Sequence, residues 1–224
     1  MADLFDVPSC DKCHNPAIHH QVYSGRMMCG SHLAESVRKK VSKAIREQLV
    51  IPRGEHLTIL VAISGGKDSA VLLERIHENL GKRRDVTIVG GCVDEGIEGY
   101  RPPSLECARK LCEDLGVRFE TVSYPELGFK EMDEVVGKID ELNDKKTPCS
   151  YCGVFRRQGI NHLASRIGAD VIALGHNLDD MAQTIMMNMQ NGDLERTLRL
   201  APHTNTPIKG MAPRIVPLRW VPEQ

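Results

Sequence analysis

An α/β fold, a parallel sheet with helices on both faces plus a small amino-terminal metal-binding module, is the class this sequence predicts. Strand-length apolar runs alternate with helix-length amphipathic segments from residue 55 onward, a spacing that calls for βαβ crossovers. The chain has 224 residues, 41% apolar and 26% charged, which allows one sizeable core and a small appendage. Residues 1–32 carry close Cys/His pairs but no apolar periodicity, so they cannot build a core of their own. The expected division is a metal module over 1–32, a basic amphipathic helix and linker over 33–54, and the α/β domain over 55–224.

The elements follow in order. Leu33, Val37, Val41, Ile45 and Leu49 recur every four residues, with Arg38, Lys39, Lys40, Lys43 and Arg46 between them, which reads as a helix with a basic outer face ended by Pro52 and Gly54. Ile59–Ile63 reads as a buried strand, and Ala70–Leu73 as part of the helix that packs back on it. Strands are expected at Val86–Val93, Val117–Val122 and 170–174, and helices at Pro102–Leu115, 130–142, 153–167 and 178–191.

Between the first strand and helix of the α/β domain lies "SGGKDS", residues 64–69. Gly65 and Gly66 permit positive φ and leave room beside the backbone, while unpaired N–H groups of the helix starting near Asp68 face the same spot. An anion such as phosphate suits that geometry. The spacing of a Walker A loop is absent.

Cys10, Cys13, Cys29 and His32 form C-x2-C-x15-C-x2-H, a full tetrahedral set for Zn²⁺ with no open position, hence a structural site. The neighbouring His14, His19 and His20 are read as solvated or capping. "TPCSYC" places Cys149 and Cys152 just before a helix, where the positive end of the dipole, strengthened by Arg156 and Arg157, favours thiolates. A redox pair, half of a zinc site, two iron–sulfur ligands and simple packing all fit that spacing. Cys92, Cys107 and Cys112 are read as small buried hydrophobes. Asp94 falls at the carboxyl end of a strand, where open α/β sheets bind ligands, and "LGHNLDD" offers His176, Asn177, Asp179 and Asp180 at the same rim. Asp179 reads as a helix cap; Asp180 is free to hold Mg²⁺ against nucleotide phosphates.

The net charge of −1 excludes a global basic field, although residues 145–224 carry ten Lys/Arg against six Asp/Glu, making this later third the side that faces a polyanion. Eight cysteines without a signal segment or an 18-residue apolar run predict a cytoplasmic protein with no membrane contact, whose thiols serve metal or sulfur chemistry. Aromatics at 4% argue against base stacking as the main grip on nucleic acid.

"SGGKDS" resembles the PP-loop of ATP pyrophosphatases, whose pattern is SGGxDS. Together with "VDEGIEGYR" at 93–101, the Cys149/Cys152 pair, "GHNLDDMAQT" at 175–184 and the amino-terminal zinc ligands, it resembles the TtcA/TtuA family of PP-loop tRNA thiolation enzymes. Within that family it is similar to the TtuA-type 2-thiouridine synthetases, in the archaeal and eukaryotic cytosolic wobble-uridine group. The resemblance implies an ATP-dependent tRNA sulfurtransferase of adenine nucleotide α hydrolase-like fold. ATP adenylates the C2 oxygen of a uridine, and a sulfide held at a 4Fe–4S cluster replaces it, releasing AMP and pyrophosphate. It implies that Ala62, Ser64, Gly65, Gly66, Lys67, Asp68, Ser69, Asp94, Gly175 and His176 bind ATP and that Asp180, Lys67, Cys149 and Cys152 carry the chemistry, the two cysteines as cluster ligands. ATP, Mg²⁺, Zn²⁺ and the cluster are the implied cofactors, with tRNA, free sulfide or a sulfur-carrier protein, and a second copy of the chain as partners. The family's third cluster cysteine should follow "PRIVPLRW", and no cysteine follows Cys152 here. The alternatives are a non-catalytic zinc-dependent tRNA- or nucleotide-binding paralogue and a PP-loop enzyme that uses a cysteine persulfide.

Overall fold

Leu57, Ile59 and Val61 pack on one side of strand β3 (Leu57–Ala62) and Leu60 on the other, and all four are buried. A strand apolar on both faces belongs in the middle of a covered parallel sheet, and that is where the computed structural model places it. The structure describes residues 7–142, 146–198, 200, 202 and 211–223.

The chain starts with a hairpin, β1 (His19–Gln21) against β2 (Arg26–Met28), that leads into helix α1 (Gly30–Gln48). Then come β3, α2 (Lys67–Leu80), β4 (Val86–Asp94), α3 (Arg101–Asp114), β5 (Arg118–Ser123), α4 (Met132–Leu142), α5 (Pro148–Ile167), β6 (Val171–Ala173), α6 (Leu178–Gln190), α7 (Leu194–Leu198) and β7 (Arg214–Ile215). The five strands of the main sheet run parallel in the order β5-β4-β3-β6-β7, with Leu60 level with Val89 on one side and Ile172 on the other. Connections from β3 run outward to β4 and β5 and then return past β3 to β6. The switch point between β3 and β6 opens a crevice at the carboxyl ends of both strands.

Helices α1, α2 and α3 cover one face through Val41, Ile45, Leu72, Leu73, Ile76 and Cys112. The other face is covered by α4 and α5 through Met132, Ile160 and Leu163. Gly159 lets α5 approach closely: a Cβ there would lie 2.8 Å from Val93 Cγ2, so any side chain would lift the helix off β4.

Helix α1 is part of this core rather than a tether to it. Its last turn is fastened to the sheet edge, where Gln48 Nε2 donates to Val216 O (3.1 Å) and Gln48 Oε1 accepts from Val216 N (2.7 Å), copying a strand's hydrogen-bond pair. Glu47 adds an ion pair with Arg219 at 2.8 Å.

Three sequence expectations change. Helix α5 starts at Pro148, five residues early, because proline at the first helical position is pre-organised for it; Cys149 and Cys152 therefore lie inside the first turns. Cys107 is exposed, since α3 buries the Ala108–Cys112 stripe and position 107 is about 100° round the helix from 108. The hairpin, α7 and β7 were not expected, each being too short to show a period. The expected parallel sheet with helices on both faces stands.

Candidate nucleotide and metal sites

The turn after β3 and the turn after β6 meet at the switch point, around a cleft of about 480 Å³. Ala62, Ser64, Asp68, Ser69, Gly175, His176 and Asp180 line it, so most of the residues expected at the nucleotide site come together. Helix α2 opens onto the cleft with Gly66 as N-cap and no side-chain cap hydrogen bond, leaving its first-turn N–H groups available to an anion. By contrast, α6 is closed by Asn177 and Asp180.

The loop is rigid for identifiable reasons. Gly65 has φ +86°, and a Cβ there would lie 2.1 Å from Ser104 O, so both backbone conformation and space require glycine. Gly66 has φ −90° and an ordinary environment, so only the first of the two glycines is conformationally required. Ser69 is buried, accepts from Ser64 N (3.1 Å) and donates to Gly66 O (2.9 Å), stitching the turn together.

Lys67 extends away from the cleft wall and pairs with Glu223 at 2.9 Å, which raises its ammonium pKa above the usual value. Asp94 accepts from Gly96 N (3.0 Å) and shapes the turn after β4; its neighbour Glu95 is the residue that lines the cleft. Asp180 also has a structural task that its position in the sequence did not suggest. Its Oδ2 accepts from Asn177 N (3.0 Å) while its own N–H donates to Asn177 Oδ1 (2.9 Å), a reciprocal capping box. Asp179, expected as the cap, accepts from Glu223 N (2.6 Å) instead. His176 is held below the usual imidazole range, first by burial and, despite Asp180, also by Arg214 and Arg156. It faces the cleft as a neutral ring.

Cys149 is exposed and Cys152 buried. Cys152 Sγ accepts from Arg156 Nη2 (3.1 Å), and the Tyr124 hydroxyl lies 3.4 Å from the same sulfur while donating to Cys152 O (3.2 Å). Burial, then the contact with Cys152, raises the Tyr124 phenol well above its ordinary range, so it remains a donor. The Tyr124 ring packs edge-on against Phe129 and Phe155, which stack on each other at 4.2 Å. Arg156 is thus the defined donor to the Cys152 sulfur, with the Tyr124 oxygen beside it.

Sequence reading overlooked the polar frame between these parts. Glu95 and Arg101 are 4% and 3% exposed, with Arg101 Nε 2.7 Å from Glu95 Oε2. Arg101 Nη1 donates to Ser64 O (3.1 Å), and its Nη2 donates to Val93 O. Stranding either charge by removing its partner costs roughly 3–5 kcal/mol. The available signal was a glutamate and an arginine flanking the glycine-rich turn "EGIEGYR" after a strand.

At the amino-terminal end, the ligand atoms of Cys10, Cys13, Cys29 and His32 all lie within 4.8 Å of one another. Bonds of about 2.3 Å to sulfur and 2.0–2.1 Å to nitrogen give a tetrahedron with edges of roughly 3.8 Å (S···S) and 3.5 Å (S···N). The Cys13–Cys29 sulfurs are 3.7 Å apart, and His32 Nδ1 is 3.3, 3.5 and 3.3 Å from Cys10, Cys13 and Cys29. The donor set fits one tetrahedral ion. Cys29 is the N-cap of α1 and His32 lies in its first turn, so half of the site is carried by that helix.

The basic face of α1 is internally compensated: Lys39 pairs with Glu35 (2.6 Å), Arg38 with Glu78 (3.8 Å) and Lys43 with Glu47 (3.8 Å). Such exposed pairs are worth about 0–1 kcal/mol and can be exchanged for phosphate contacts.

A PP-loop domain model matches residues 33–212. The tRNA 2-thiolation protein NcsA of Haloferax volcanii is 39% identical over 228 residues, 96% of this chain and 69% of that protein. The chain belongs to the PP-loop tRNA 2-thiolation family. Another member, cytoplasmic tRNA 2-thiolation protein 1 of Caenorhabditis elegans, is 36% identical over 95% of the chain, which spans 56% of that protein. Among solved structures, the U34-tRNA thiolase NcsA from Methanococcus maripaludis with its 4Fe–4S cluster superposes with a TM-score of 0.79 at 33% identity, over 96% of this chain and 69% of that one. Within the matched region, α5 carries both Cys149 and Cys152, and its Arg156 lines the cleft. No helix among the described residues is long and apolar enough to cross a membrane.

Proposed function

We propose that the chain carries out tRNA 2-thiolation: ATP activates the C2 oxygen of a uridine and sulfide replaces it. The observation that carries this is the uncapped start of α2 opening into the switch-point cleft, whose wall includes Arg156, the donor to the Cys152 sulfur. The 33%-identical U34-tRNA thiolase supports the wobble uridine as the target.

Chemically, the uridine C2 oxygen attacks the α-phosphorus of ATP, and the bond to pyrophosphate breaks. The α2 N–H groups take up part of the leaving charge, and a bound Mg²⁺ would supply the rest of the neutralisation there. Sulfide then adds at C2, the C2–O bond breaks, AMP leaves with the former carbonyl oxygen, and the sulfide proton is lost to restore a neutral thiocarbonyl. Asp180, with one oxygen committed to Asn177, offers the other for Mg²⁺ at the cleft. When bound, a 4Fe–4S cluster supplies and holds the sulfide; Cys149 and Cys152 are its ligands in this reading, and a third ligand is required. Cys10, Cys13, Cys29 and His32 would hold Zn²⁺ as a structural ion. A cytoplasmic location and a homodimer complete the proposal, the latter checked by light scattering.

The test incubates anaerobically prepared protein with ATP, sulfide and tRNA, then measures AMP, pyrophosphate and 2-thiouridine. All three should form, and Asp68→Ala, which alters the cleft rim and no apolar pattern, should reduce them by more than about a hundredfold. A wild-type protein that binds tRNA without forming AMP would be the non-catalytic paralogue. Full activity without iron and with sulfide as the sulfur source would favour direct attack by free sulfide; iron-free activity that needs a persulfide donor in place of sulfide would favour transfer of its outer sulfur to the exposed Cys149.

For tRNA binding, alanine at Arg38, Lys39, Lys43 and Arg46 should flatten the log–log salt dependence of affinity by about 0.7–0.9 for every phosphate that these side chains neutralise. An unchanged slope would remove α1 from the interface.

A further inference from the structure

We propose that Glu95 is a positioning residue that couples the nucleotide loop to Cys152, by holding in one buried carboxylate the arginine that fixes the loop and the arginine that fixes the sulfur. The proposal rests on the reading of the switch-point cleft as the ATP site and of Cys152 as the sulfur-handling thiol.

The contacts form an unbroken series. Ser64 O of the loop accepts from Arg101 Nη1 at 3.1 Å, and Arg101 Nε lies 2.7 Å from Glu95 Oε2. Glu95 Oε1 is 3.1 Å from Arg156 Nε, and Arg156 Nη2 donates to Cys152 Sγ at 3.1 Å. Each arginine uses one edge of its planar guanidinium on Glu95 and another on its own target, so neither can move without disturbing the carboxylate. Arg101 is further pinned by Cys92 Sγ (2.9 Å) and Ser104 Oγ (3.3 Å), which makes it the fixed end.

Arg156 is the movable end. Its side chain is 57% exposed, it lines the cleft, and yet it turns inward to a buried carboxylate and a buried sulfur. A nucleotide phosphate entering the cleft competes with Glu95 for that guanidinium, since phosphate is as good a fork-shaped partner as carboxylate. Drawing Arg156 toward phosphate takes a donor away from Cys152. The Arg101–Glu95 contact is an ion pair without hydrogen-bond alignment, both of its atoms lacking a hydrogen-bonded partner among the described residues, so the carboxylate can rotate when Arg156 leaves. A pair serving stability alone has no reason to reach a surface arginine that ends on a thiol.

The test uses the full chain prepared without a cluster and follows alkylation of Cys152 and Cys149 by iodoacetamide, peptide by peptide in a mass spectrometer, with and without saturating Mg-ATP. In the wild type, ATP should change the Cys152 rate by at least about fivefold, the lower end of ordinary coupling between sites, while exposed Cys149 changes little. In Glu95→Gln and in Arg156→Met, the Cys152 rate should become independent of ATP at Mg-ATP concentrations that calorimetry shows to saturate each variant. Because the Arg156 side chain is more than half exposed, that variant answers the question even where Glu95→Gln does not fold. An ATP response that persists in the variants, one that is absent from the wild type, or a Glu95→Gln that merely melts lower with its response intact would each overturn the coupling. A nucleotide-responsive Cys152 in a protein that forms no 2-thiouridine would leave the coupling standing and remove the thiolation reading.

Discussion

Gly65→Ala is expected to abolish ATP-dependent pyrophosphate release, by more than about a hundredfold, while Gly66→Ala stays within a few-fold of wild type. The two positions look interchangeable in "SGGKDS", and the structure separates them. At Gly65 an L-residue incurs roughly 1–2 kcal/mol for its left-handed backbone. Its Cβ would also lie 2.1 Å from Ser104 O, a backbone atom of α3 that cannot swing aside. The loop must then withdraw from α3, taking Ser64 O off Arg101 and tilting the first-turn N–H groups of α2 out of the cleft. At Gly66, φ is −90° and the nearest atom to a new Cβ is Ser64 Oγ at 3.5 Å, an ordinary contact. Pyrophosphate release by the two variants, beside circular dichroism to confirm the sheet, decides the matter. Equal activities would remove the loop geometry from the mechanism.

Removal of the amino-terminal metal, by chelation or by Cys10→Ser, is expected to unfold residues 7–28 and leave the sheet standing. Structural zinc in small modules contributes about 10–16 kcal/mol of apparent binding energy at neutral pH, which is folding energy for a segment with no core. Here the hairpin is three residues per strand, Tyr23 and Ile18 are exposed, and the buried side chains at this end are mainly the ligands Cys10 and Cys29 with Met28. The sheet's core draws on α1 from Val41 onward and does not need the ion. Limited proteolysis should cut before α1 in the metal-free protein and spare β3 onward, with ATP binding retained. Equal protease resistance with and without metal, or the absence of zinc from protein prepared without chelator, would exclude a structural zinc site.

The strand–helix alternation was legible because β3, β4 and the helices around them are long enough to express a period, and the loop and zinc ligands because their spacing is local. Three features were hidden for different reasons. Asp180 looked free because the cap of the helix expected from 178 was assigned to Asp179, whereas Asn177 immediately precedes that helix and Asp180 completes its capping box. The start of α5 is marked only by Thr147–Pro148, an N-cap position followed by proline at the first helical position, with no apolar period through residues 149–152 to carry the helix back to it. Glu95 and Arg156 are 61 positions apart, and nothing in the sequence marks a contact between a turn after β4 and a helix covering the opposite side of that strand. Long-range polar pairs of this kind appear only when the topology brings their elements together.

Helix α1 carries Cys29 and His32 at its start and is fastened to the sheet edge through Gln48 at its end, 19 residues that span about 28 Å at 1.5 Å each. It therefore acts as an indexing shaft. Each added or deleted residue between Val37 and Val41 would rotate the metal module by about 100° about the helix axis and slide it by about 1.5 Å, whatever that residue's chemistry. Substitutions on its outer face change charge and leave this phase untouched. The length of α1 is thus a coordinate of the molecule in its own right, setting the bearing of the metal module against the nucleotide cleft.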